Sequence, residues 1–170
     1  MSQSYPLLDP DLGDLEARAC RAARAHGELG PTFAALEGTR GRWDRRWFLL
    51  SRMDTTVPRE RYDALVAAHP NRAVAYLMRG VHAIGWAWDA RGDGVGSTVT
   101  EEGARLLRER CTLAVSDLRL AAALEPDDPT GCAFMLRAAL GLAWPVEEAE
   151  TVFEEGRRRD PEHVPLFRWM

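Results

Sequence analysis

The chain has 170 residues, a mass of 19.0 kDa and a formal net charge of -4, and its 22 basic residues are all arginine. Hydrophobic residues make up 46% and charged residues 28%, ordinary for a water-soluble globular protein, and the length suits one domain, residues 1–170, around one core. The mild acidity argues against nucleic acid as the main partner, and the longest uncharged runs fall well short of the ~18 residues a membrane span needs.

Met1–Pro10 carries neither a basic start nor an apolar core, so it does not read as a secretory signal, and residues 1–11 are expected to be disordered or extended. Cys20, Cys111 and Cys132 are odd in number and widely spaced, which fits neither a disulfide framework nor a zinc knuckle and points to a reducing cytoplasm.

The spacing predicts a first helix, Leu15–His26, stopped at Gly27, and a short second one opened by Pro31. Trp43, Trp47 and Leu50 predict a third over Arg42–Met53, and Pro58 begins a fourth that runs to Pro70. The arginines at 40, 42, 45, 46 and 52 read as a solvated helix face, with a nucleic-acid contact as the lesser alternative. A fifth helix covers about Arg72 to Ala90, with apolar residues on most sides.

The glycine-rich stretch Arg91–Thr98 follows, and Thr98 with Glu101 reads as a capping box for a long helix reaching Glu125. Its seam of Leu107, Cys111, Ala114, Leu118 and Ala121 falls on one face. Asp128 and Pro129 start the next helix. Pro145 starts the last full one, acidic in its first turn and basic in its last.

Ala114, Leu118, Ala121 and Pro126 are repeated 35 residues on as Ala149, Phe153, Gly156 and Pro161, with identical gaps, and more weakly as Pro58, Tyr62, Leu65 and Pro70. Small residues let a paired helix approach, a bulky one fills the groove, and proline stops the helix. The series resembles the second helix of the tetratricopeptide repeat, with Gly80 at the close-packing place of a first helix and Arg137 where a second glycine is wanted. The stretches Trp86–Gly92, Ser97–Glu102 and Leu124–Pro129 are similar to a family of actinobacterial helical proteins related to that repeat. The resemblance covers roughly residues 12 to 170. It implies an all-α, tetratricopeptide-like superhelix with an inserted glycine-rich loop, residues 91–110 being the insertion, and it carries no assigned activity. Residues from Val164 onward begin a helix that stops within about two turns, which predicts either that the native chain continues beyond Met170 or that this end packs on a second chain as a homo-oligomer.

One polar-aromatic stripe, Tyr76, Arg79, His82, Trp86 and Trp88, together with Arg91 and Asp93 of the loop, is the candidate ligand or partner site, and its competing reading is ordinary core. The loop lacks the lysine of a phosphate loop, the strand of a dinucleotide fold and the acidic ligands of a calcium loop. The histidines, cysteines and paired carboxylates form no catalytic or metal-binding constellation, so neither catalytic residues nor a cofactor are assigned. The function expected is a cytoplasmic protein–protein interaction or scaffold module whose groove, lined by Val74, Leu77, Met78, Val81, Gly131, Phe134 and Ala138, takes an apolar helical segment of a partner or of the chain itself. The alternative is a small-molecule-binding protein or enzyme of a specialised biosynthetic pathway, with its pocket near residues 91–98.

Overall fold

A computed structural model describes residues 9–92, 94 and 98–169, and among these the secondary structure is entirely helical. The helices are α1 (Leu15–Ala25), α2 (Gly30–Glu37), α3 (Trp43–Ser51), α4 (Arg59–Ala68), α5 (Ala73–Arg91), α6 (Glu101–Leu124), α7 (Thr130–Leu142) and α8 (Val146–Arg159), followed by a 3₁₀ turn, Val164–Arg168.

Local chemistry sets several of the ends. Asp14 accepts a hydrogen bond from the Ala17 amide at 2.8 Å and starts α1, while Gly27, at φ 78°, turns the chain out of it. Residues 9–11 are not extended: Asp9 accepts from the Asp11 and Gly13 amides, and the fully buried Asp11 pairs with Arg21. The start of α6 lies two residues beyond the expected cap. Thr100, not Thr98, accepts from the Gly103 amide, because the first helical residue is Glu101.

Helices α4 to α8 run back and forth, each packed antiparallel to the next. Arg79 lies opposite Asp117, Trp86 opposite Arg110, and the Ala90 carbonyl opposite Gly103, so α5 and α6 stay paired along their length. The glycines at the crossings are positions where a side chain would not fit: a Cβ on Gly80 would stand 3.0 Å from Leu118 and 3.2 Å from the Ala114 carbonyl. Of the residues expected to form an insertion, Arg91 and residues 101–110 are helical, since α5 continues to Arg91 and α6 begins at Glu101.

Helices α2 and α3 pack on α5, and α3 also packs on α7 and the 3₁₀ turn. Trp47 of α3 stacks on Phe134 of α7, with ring centroids 6.4 Å apart. As a result, all seven residues expected to line an open groove are buried, Met78 and Ala138 completely. The chain's own helices occupy that face. Contacts between α3 and the last elements also depart from a one-dimensional array in which each repeat meets only its neighbours.

Arg46 ties these layers together and departs from the solvated face expected of its cluster, on which Arg40 and Arg42 are exposed. It is 1% exposed, lies over the Trp43 ring, and donates to Glu125 (2.5 Å), Asp128 (2.6 Å) and Thr39 (3.0 Å). Arg45 pairs with Asp14 and Glu16, and Arg40 with Glu125. A guanidinium buried this deeply requires carboxylate partners, and the turn after α6 supplies two.

At the other end, the segment after Pro161 folds back as the 3₁₀ turn. Leu166 is fully buried where Gly156 has no side chain; a Cβ there would lie 2.5 Å from a Leu166 methyl. Phe167 remains 53% exposed, edge-on to Phe153, and Trp169 is half-buried.

Candidate functional site

The predicted stripe separates into two groups. Tyr76, Arg79, His82 and Trp86 share the side of α5 turned toward α4 and α6. Arg79 donates to both oxygens of Asp117 (2.9 and 2.7 Å) and to Asp63 (3.0 Å), with Asp117 the main reason its pKa is raised. The Tyr76 hydroxyl donates to the Pro70 carbonyl. His82 is buried, with Tyr62 stacked on it at 4.3 Å and Trp86 at 6.4 Å. Burial first, then the Arg59 charge, holds it below the usual imidazole range. Arg110 sits 3.5 Å over the Trp86 ring and donates to the Trp86 carbonyl.

Trp88 points elsewhere, half-buried against the core, with Arg91 5.6 Å over its ring. Arg91 donates to the Gly92 and Gly94 carbonyls just beyond its own helix. Asp93 lies outside the described residues. The sequence reading missed Asp117, Asp63, Arg59 and Arg110, which engage this stripe from α4 and α6; only the antiparallel pairing brings them to α5.

The groups with nucleophilic chemistry are inside the protein. Cys20, Cys111 and Cys132 are buried, and burial pushes the thiols of Cys111 and Cys132 up to about 11. The fully buried Tyr62 phenol is likewise pushed upward by burial. Among the described residues, His, Cys, Asp and Glu form no group of three placed to hold a metal.

Two depressions of the described surface differ in chemistry. One, of about 230 Å³ and lined by Glu37, Arg40, Arg46, Asn71, Arg72 and Glu125 among others, is polar, but its charges pair internally: Arg72 with Glu37, and Arg40 and Arg46 with Glu125. The other is a groove of about 650 Å³ between α6 and the α7–α8 connection, lined by Val115, Ser116, Arg119, Leu120, Leu142, Trp144 and Glu148. It adjoins a second depression of about 440 Å³ that shares Arg119 and Glu148.

Beside this groove, α6 presents Leu113, Leu120 and Leu124, 48%, 47% and 42% exposed. Leu113 and Leu120 are two turns apart and form one ridge, with Ser116 exposed between them. Arg119 and Glu148, both exposed, line the groove, and among the described residues neither has an ion pair. The periodicity of α6 signals its buried seam, and no local spacing signals that Leu113, Leu120 and Leu124 stay exposed.

No family model, curated protein or solved structure matches this chain. The class established is therefore that of an all-helical protein, in which no described helix is long and apolar enough to cross a membrane.

Proposed function

We propose that the chain is a helical protein–protein interaction module that docks an apolar helical segment of a partner along the outer face of α6. The carrying observation is the exposed Leu113–Leu120 ridge beside a groove lined by Val115, Leu142 and Trp144. Covering half-exposed leucines contributes ~1 kcal/mol each, and a side chain entering the groove adds apolar contact. A tetratricopeptide-like arrangement is the frame for this reading, supported by the small residues at its helix crossings and by the antiparallel pairing of α5 to α8. Its usual inner face is occupied by α2 and α3, so docking moves to the outer one. The buried thiols, phenol and imidazoles favour this role over catalysis.

A photoreactive residue in place of Ser116 tests it in the host cell. One discrete adduct is expected, absent when the probe replaces Glu150 on α8 and lost in the Leu113→Glu, Leu120→Glu double variant. Adducts of equal yield from both positions, or none from Ser116, would overturn it.

A further inference from the structure

Arg137 is the exception among the sheltered arginines. Every other arginine of the described residues that is buried or half-buried donates a hydrogen bond inside the protein. Arg137, half-buried on α7, donates none. None of the sealed, partnerless nitrogens of the fold belongs to it either, so its guanidinium opens to solvent with its N–H donors available.

A second cation comes to the same place. Arg168, in the 3₁₀ turn, lies 6.0 Å over the Trp47 ring and 5.3 Å over the Trp169 ring. Trp47 stacks on Phe134, one turn before Arg137 on the same side of α7. Arg168 acts on Arg137 as a like charge, and no carboxylate of the described residues offsets it. Elsewhere the fold answers a sheltered guanidinium with an acid of its own: Arg46 meets Glu125 and Asp128, and Arg79 meets Asp117. Here the chain supplies no anion.

Beside the two arginines is a cavity of about 270 Å³, lined by Leu136, Leu140, Trp144, Ala149 and Trp169 among others, and every side chain that lines it is apolar. Leu140 is one turn beyond Arg137, and Trp169 is the ring beneath Arg168, so both guanidinia stand at one edge of an apolar chamber. Its volume is near the lower end of the ~300–1,000 Å³ usual for small-molecule sites, which suits a single ring or a short chain. The planar fork of arginine matches the two oxygens of a carboxylate. A ligand with a polar body would lose its hydrogen bonds to water against these walls and gain none.

We infer that this is a binding site for a small carboxylic acid: Arg137 and Arg168 take the carboxylate, and the chamber between Leu136, Leu140, Trp144 and Trp169 takes its aromatic or short aliphatic body. The site does not depend on the docking proposed at the Leu113–Leu120 ridge.

Titration calorimetry on the purified chain tests it, with phenylacetate, hexanoate, phenylacetamide and inorganic phosphate as the probes. Phenylacetate or hexanoate should bind saturably with a Kd of about 1 mM or tighter, and phenylacetamide, the same body without the charge, at least about tenfold more weakly. Arg137→Met and Arg168→Met should each weaken the carboxylate about tenfold, the worth of one charge-assisted hydrogen bond. An unchanged melting temperature in Arg137→Met separates that loss from a loss of fold. Leu140→Glu, at an exposed position, sets a carboxylate one turn from Arg137 and should abolish binding. No saturable binding of either carboxylate up to about 10 mM overturns the inference, as does equal binding of the amide or unchanged affinity in either arginine variant. Phosphate binding more tightly than both carboxylates overturns it as well.

Discussion

Arg46 and Asp128 are 82 residues apart in the chain and 2.6 Å apart in the fold, with a guanidinium that is 1% exposed. This pair fastens α3 to the turn between α6 and α7. Because Glu125 and Asp128 are themselves buried, Arg46→Ala would leave Asp128 without its cation and Glu125 with only the exposed Arg40. Its expected cost is ~3–5 kcal/mol in urea unfolding. Arg45→Ala, which breaks the more exposed pairs to Asp14 and Glu16, should cost about 1 kcal/mol or less. Equal costs would show that Arg46 is not the buried tie.

Arg137 presents the opposite situation. It is half-buried on α7, and among the described residues it has neither an ion pair nor a hydrogen bond. Burial first, and then the Arg168 charge, lowers its pKa. Arg137→Met should therefore leave the melting temperature unchanged or raise it, by up to ~1 kcal/mol of stability. A loss of stability comparable with that of Arg46→Ala would mean that the guanidinium makes an interaction essential to the fold.

Two glycines should respond oppositely to alanine. Gly30, the first residue of α2, has no atom of more distant residues within 4 Å of an added Cβ, so Gly30→Ala should stabilise by ~0.4–1 kcal/mol through loss of unfolded-state freedom. At Gly103 the added Cβ would stand 2.8 Å from the Ala90 carbonyl, where backbone must move. Gly103→Ala should cost ~1–3 kcal/mol, measured by the same denaturation. The two shifts having the same sign would contradict the close α5–α6 approach.

The buried imidazoles predict acid sensitivity. His82 and His163 both sit below their ordinary pKa, chiefly because of burial; Arg59 adds to this at His82, while Asp44, Asp160 and Asp128 oppose it at His163. The unfolded chain then binds more protons than the folded one as pH falls below ~6.5, so their contribution is complete above that value and declines beneath it. The urea midpoint should drop between about pH 7 and pH 5, and His82→Phe, which preserves the stack on Tyr62, should flatten the slope. An unchanged slope would show that His82 does not drive it.

Much of the fold was legible because helix boundaries and seams are local signals. Gly27, Pro58, Pro129 and Pro145 mark ends close to those observed, and Cys111, Ala114, Leu118 and Ala121 are buried as their spacing implied. What was not legible depends on distant pairings. The sequence shows five neighbouring arginines but not that Glu125 and Asp128 return to meet Arg46. It shows an apolar face on α5 and α7 but not that α2 and α3 cover it. Thr98 has the capping-box spacing to Glu101 and Thr100 does not, yet Thr100 caps α6 because the helix begins at Glu101. Of the stripe, Tyr76, Arg79, His82 and Trp86 share a helix side and Trp88 does not, and the residues that engage the four lie on α4 and α6.

The central claim, that the outer face of α6 is covered in the working protein, is tested most directly by thiol labelling in the host cell. The three native cysteines are buried, so a cysteine placed on the surface reports alone. Ser116→Cys should react with a maleimide about tenfold more slowly in the cell than in the dilute purified chain, as ~1.4 kcal/mol of net docking energy gives. Glu150→Cys should react alike in both. Equal rates at Ser116 in the two settings would contradict the account.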